Sequence, residues 1–102
     1  MYAAAAPLLS LPVSSFRPGM PSSLRSPRHR RLAELLVAYR EQAGLKQSEL
    51  AERLGRHQPF VSNLEAGQRR LDLVELLDIA AALDFDPRDL IGELLQVPPG
   101  PA

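Results

Sequence analysis

Cysteine and tryptophan are absent from this 102-residue chain, histidine occurs only twice, and aromatic residues make up 5%. Without Cys there is no disulfide framework, no thiolate nucleophile and no Cys-ligated zinc. Neither His29 nor His57 has acidic neighbours at ligand spacing, so no metal is expected. No Ser-His-Asp or Cys-His set can be assembled, and there is no Gly-rich phosphate loop. Ser48 and Ser62 fall on helical segments with no base beside them. A binding protein without cofactor is expected, not an enzyme. No apolar run approaches the ~18–20 residues that cross a bilayer, so no membrane association is expected. The length allows one small domain plus a tail and rules out a multidomain enzyme.

Net charge is also lacking, with 12 basic groups against 12 acidic ones, but the balance hides a split. Residues 1–71 carry 11 basic and 5 acidic groups, whereas residues 72–102 carry Arg88 against 7 acidic groups. An excess of +6 is thus followed by one of −6, which suggests a half that faces a polyanion.

Residues 1–27 hold 5 of the 10 prolines and 6 of the 8 serines. Prolines at this density leave no room for a helix or a paired strand, so a disordered N-terminal extension is expected. It does not read as a secretory signal, because nothing basic precedes Arg17 and Pro7 and Pro12 interrupt the apolar run. The same prolines forbid the amphipathic helix of a mitochondrial presequence. Met20 offers a second start site, which would leave residues 1–19 outside the native protein.

From Arg28 to Leu95 the pattern turns helical. Leu32, Leu35, Leu36, Tyr39 and Ala43 form one apolar stripe, and Gly44 closes that helix. A second helix from about Gln47 carries Leu50, Ala51 and Leu54 and ends at Gly55. A third, about Gln58–Ala66, carries Val61 and Leu64 and stops at Gly67. Leu73, Leu76, Leu77, Ala80 and Leu83 mark a fourth. Asp86-Pro87 reads as N-cap plus N1 of a fifth, with Leu90, Ile91 and Leu94 inside and an extended tail over residues 96–102. The expectation is an all-α bundle of five short helices. Its core lies near the lower size limit for independent stability, which favours a dimer.

The segment Gln47 to Gln68, QSELAERLGRHQPFVSNLEAGQ, is the most informative. Two helices of about eight residues joined by a short turn containing Gly make a helix-turn-helix unit, here about residues 47–66. Ala51 stands where the two helices cross and a larger side chain would force them apart. Gly55 stands at the sharp turn, where positive φ is needed. Leu50, Leu54, Val61 and Leu64 form the inward face.

The string Gly44-Leu45-x-Gln47-x-Glu49-Leu50-Ala51, continued by Leu54-Gly55, Gln58, Val61-Ser62 and Leu64-Glu65-x-Gly67, resembles the Cro and phage-repressor (XRE-type) helix-turn-helix family over residues 28–95. The resemblance implies a lambda-repressor-like domain that binds operator DNA as a homodimer and regulates transcription. It also implies a bacterial or phage-encoded protein of the cytoplasm, associated with the nucleoid. An antitoxin using the same domain and also binding a toxin protein is one alternative. An interaction module that has lost DNA binding is another.

The resemblance further implies roles for individual residues. The third helix would enter the major groove, with Gln58 pairing bidentately with adenine and Ser62 and Asn63 reading bases one turn on. Pro59 departs from the polar residue common in the family and would offer a base only an apolar contact. Gln47, at a helix N-terminus, would grip a phosphate, joined by Lys46, Arg56, His57, Arg69 and Arg70. Lys46 and His57 stand where relatives place Thr or Ser caps; a phosphate would fill that role at Lys46 when DNA is bound. Arg40 and Glu65 would form a buried structural ion pair. The basic run Arg28-His29-Arg30-Arg31 reads either as a DNA-reaching arm or as a solvated first turn, and Phe60 either as core edge or as an apolar wedge beside Pro59. Leu94, Leu95 and Val97 are the candidates to join protomers.

Overall fold

The computed structural model describes residues 23–99. A 3-10 turn over Ser23–Arg25 leads into α1 (Pro27–Gln42), α2 (Gln47–Leu54), α3 (Gln58–Glu65), α4 (Leu73–Leu83) and α5 (Pro87–Leu95). Among the described residues there is no strand, and the architecture is an all-α five-helix bundle. Among the described residues no helix is long and apolar enough to cross a membrane.

The first ordered turn lies inside the stretch that proline density assigns to the disordered extension. Residues 23–27 are structured, while residues 1–22 lie outside those described. The reason is local. Ser26 Oγ accepts the His29 backbone N–H at 3.0 Å, capping α1, and Pro27 sits in the first turn, where its missing donor costs nothing. Arg28 to Arg31 consequently belong to the first turn of α1 and are not an arm. Arg28 Nε donates to the Val97 carbonyl at 2.8 Å, and Arg31 pairs with Glu34 at 3.2 Å and Glu93 at 3.5 Å. These contacts join the start of α1 to α5 and the residues just after it.

Left-handed residues end the inner helices. Gly55 has φ 67°, and the following N–H, from Arg56, reaches back to the Ala51 carbonyl at 2.9 Å. A Cβ at Gly55 would meet nothing within 4 Å, so the demand there is conformational and not one of space. Asp84 plays the same part after α4 at φ 57°, with Phe85 N bonded to the Ala80 carbonyl at 3.0 Å. Asp tolerates this region better than most residues with a Cβ.

Every helix contributes to one core: Leu35 and Leu36, Leu50 and Ala51, Val61 and Leu64, Leu76, Ile79 and Leu83, and Leu90. Tyr39 stacks on Phe85 with ring centroids 3.9 Å apart and planes within 11°, joining α1 to the α4–α5 loop. Three stripes need correction. On α1, Ala43 is the C-cap, outside the helix, and is exposed. On α4 the buried set is Leu76, Ile79, Ala80 and Leu83, an i, i+3, i+4, i+7 face, whereas Leu73 and Leu77 are exposed. On α5 Leu90 is fully buried but Ile91 is exposed. α4 is apolar nearly all round, so periodicity alone could not tell which side meets α2.

Candidate nucleic-acid interface

Folding divides α3 into two faces. Val61 and Leu64 point into the core, and Gln58, Pro59 and Asn63 are exposed, with Ser62 half-buried beside them. Gln58 and Ser62 lie one turn apart, as do Pro59 and Asn63, so the four form two adjacent rows. The side chains of Gln58 and Asn63 make no hydrogen bond among the described residues, while Ser62 Oγ donates to the Pro59 carbonyl at 3.4 Å. The helix opens without a side-chain cap from His57, and Pro59 occupies its first turn.

At the C-terminal end of α3, Glu65 is held from below. Arg40 Nε donates to Glu65 Oε2 at 2.6 Å and Arg40 Nη2 donates to Oε1 at 3.0 Å. Arg40 Nη1 also donates to the Leu45 carbonyl at 2.7 Å. The side chains are 12% and 5% exposed, and the hydrogen bond from Arg40 to Glu65 raises the arginine above its usual range. Gln47, at the start of α2, donates its amide Nε2 to Glu65 Oε1 at 2.9 Å. This ties one of the two amide hydrogens to α3 and leaves the second free to meet an anion. Lys46 is exposed. Having no acceptor on its side chain, it leaves half a capping box: Glu49 Oε1 accepts the Lys46 backbone N–H at 2.7 Å.

The arginines flanking α3 divide into two kinds. Arg70 is exposed, and its carbonyl accepts from Arg69 Nη1 at 2.7 Å. Arg56 and Arg69 converge on Glu75 of α4. Arg69 makes a two-point fork, Nη1 to Oε1 and Nη2 to Oε2, both 3.0 Å, and Arg56 Nη2 donates to Oε2 at 3.1 Å. Both guanidiniums lie over the Phe60 ring, 4.1 Å from its centroid for Arg56 and 4.6 Å for Arg69. Glu75 Oε1 accepts the Asp72 backbone N–H at 3.0 Å as well, while Asp72 Oδ1 accepts from Glu75 N at 2.7 Å, a complete capping box. With Arg69's hydrogen bond as the leading cause, the Glu75 carboxyl falls from its ordinary value of 4.5 to about 2. His57 is exposed.

A family model for the helix-turn-helix domain matches residues 31–94, well over half of the chain. The chain belongs to the XRE-type helix-turn-helix family. Among solved structures, an XRE-family like protein from Pseudomonas syringae pv. tomato is 43% identical, with TM-score 0.63, covering 68% of this chain and 84% of that one. The restriction-modification controller protein C.AhdI from Aeromonas hydrophila is 38% identical, with TM-score 0.56, covering 59% and 87%. The C.Esp1396I controller tetramer in complex with its natural 35 base-pair operator shares the fold at TM-score 0.63 and 19% identity, covering 71% and 95%. Among curated protein sequences none matches.

Within this XRE-type domain, sequence reasoning missed Glu75. Its signal was present as the spacing Asp72-x-x-Glu75 ahead of an apolar run. That spacing identifies a helix start, but only folding brings Arg56 and Arg69 to the same carboxylate. Phe60 is neither pure core edge nor a free wedge: half-buried, it packs against the core and lies beneath two cations.

Proposed function

We propose that this chain is a sequence-specific regulator of transcription that binds double-stranded operator DNA as a homodimer in the cytoplasm. One observation carries the reading: the outer face of α3 presents Gln58, Pro59 and Asn63 to solvent, with the Gln58 and Asn63 side chains unpaired among the described residues. An amide side chain costs most where it is buried and unpaired; two of them, exposed on a short helix between arginines, are suited to base edges in the major groove. Gln58 and Asn63 would read bases, Pro59 would meet a thymine methyl, and Ser62 would supply a hydroxyl. Lys46, Gln47, Arg56, His57, Arg69 and Arg70 would fix the register on phosphates. Similarity to an XRE-family protein and to a restriction-modification controller supports this assignment.

Dimerisation has its own support. Leu73, Val74 and Leu77 of α4 and Ile91 and Leu95 of α5 are exposed, the first two and the last by 66%. Leu73 and Ile91 line one shallow hollow with Leu71 and Leu94, so the two helices share a continuous apolar surface. Of the residues expected to join protomers, Leu95 is exposed, but Leu94 and Val97 are half-buried. The joint would therefore centre on α4 as much as on α5, and two recognition helices would address half-sites about one helical turn apart.

The test is a mobility-shift titration with the DNA upstream of this gene over a range of salt concentrations. Binding whose log K falls by roughly 0.9 per phosphate neutralised supports the reading, and affinity independent of salt overturns it.

A further inference from the structure

We propose that Glu75 is a positioning residue that locks Arg56 and Arg69 into a single preformed phosphate-gripping unit beside the recognition helix. The proposal rests on the DNA-binding reading and adds to it how two of its cations are held. Arg56 precedes α3 and Arg69 follows it, at opposite ends of a helix about 12 Å long. Left to themselves they would meet phosphates independently. In the structure both reach the same Glu75 oxygen, at 3.1 and 3.0 Å, and both lie over the Phe60 ring of α3 itself.

The carboxylate is saturated, with each oxygen taking two donors: Asp72 N and Arg69 Nη1 on Oε1, Arg56 Nη2 and Arg69 Nη2 on Oε2. The arginines are not saturated. Of the five N–H donors on each guanidinium, Arg56 commits one, and Arg69 commits three, counting its bond to the Arg70 carbonyl. Four and two donors remain. Exposure follows the same order: Glu75 is 12% exposed beneath Arg69 at 36% and Arg56 at 44%. The anion is the floor of the cluster and the cations are its outer layer.

That order decides between two roles. As a counter-charge, Glu75 would weaken DNA binding by cancelling one positive charge. As a positioning group, it strengthens binding, because flexible arginines lose rotamer freedom on gripping a phosphate and these two have lost it on folding. The shielded carboxylate and the uncommitted donors on the more exposed arginines favour positioning. The two roles predict opposite signs for Glu75→Gln, which adds a net positive charge and turns an amide N–H₂ towards the guanidiniums.

The experiment measures anisotropy-based affinity for a duplex from this gene's upstream region and for a random duplex of equal length, across a salt series. Glu75→Gln should bind both duplexes more weakly by about fivefold or more, as befits coupled groups in one network, with their affinity ratio unchanged. The losses from Arg56→Gln and Arg69→Gln should combine to less than their product. Thermal melts show whether each variant is folded at the assay temperature. Should Glu75→Gln not fold, Arg69→Lys keeps the charge but cannot bridge both carboxylate oxygens, and it too should bind more weakly. Equal or tighter binding by the folded Glu75→Gln chain, independent losses at the two arginines, or an unaltered Arg69→Lys would each overturn the proposal. Wild-type protein that binds neither duplex at low salt would overturn the DNA reading itself, a result distinguishable from any variant's.

Discussion

Arg40 of α1 grips Glu65 of α3 at two points, 2.6 and 3.0 Å, across 25 residues of sequence. This fork joins α1 to the end of α3, and Gln47 of α2 bonds to the same carboxylate at 2.9 Å. Three helices therefore meet at one half of an ion pair that is almost out of solvent. Arg40→Ala should lower unfolding free energy by about 3–5 kcal/mol in urea denaturation, because Glu65 would be left charged and largely desolvated. A loss under about 1 kcal/mol would place the pair among ordinary exposed ones.

Lys46 begins α2 without an acceptor in its side chain, leaving the exposed N–H groups of the first turn unbonded by it. Lys46→Thr should stabilise the free protein by about 0.5–2 kcal/mol through the added cap. The same change should weaken duplex binding if a phosphate occupies that position in the complex. A more stable variant with unchanged affinity would refute the phosphate's role.

Glu75 couples stability to acid. Its carboxyl lies at about 2 in the fold against an ordinary 4.5, held down chiefly by Arg69. A depressed folded value means the stabilisation is fully present above the ordinary value and is lost as pH falls towards the folded one. The stability gap between wild type and Glu75→Gln should therefore be constant near neutrality and narrow from about pH 4.5 down to about pH 2. Urea midpoints across that range would show it, and a gap that stays constant would contradict the assignment.

Base reading and backbone gripping separate by their dependence on sequence. Asn63→Ala should reduce discrimination between operator and random duplex with little change in salt dependence. Arg70→Ala should weaken both duplexes alike and lower the salt slope by roughly 0.9. Titrations of both variants against both duplexes check the pair of expectations together.

The apolar surface of α4 and α5 makes a prediction about assembly. Val74→Lys places a charge on a residue 66% exposed in the monomer, so folding should be unaffected while self-association is lost. Sedimentation equilibrium should show the variant as a monomer, with its half-site occupancy no longer coupled. A wild type that is monomeric throughout would remove the basis for a symmetric operator.

Much of the architecture was readable because its signals are local. Gly55 and Gly67 end helices through backbone freedom, Asp86-Pro87 starts one by capping, and Val61 and Leu64 face inward by spacing alone. The errors fall where a local rule has two solutions. Leu73, Leu77 and Ile91 fit apolar stripes yet remain outside, because a helix apolar on most sides needs a neighbour to choose its buried face. Residues 23–27 are ordered although prolines crowd around them, since Pro27 falls at the one helical turn that accepts it.

By itself the sequence determined the helix-turn-helix unit, because capping, turn conformation and apolar spacing act over a few residues and need no partner. It also determined which side chains α3 turns outward, given which ones it must bury. Only the tertiary structure decided what the flanking cations do. Arg56 and Arg69 are basic residues thirteen positions apart in the chain; whether they stand free in solvent or share Glu75 depends on where α4 packs, and a charge acts through distances that the order of residues does not contain.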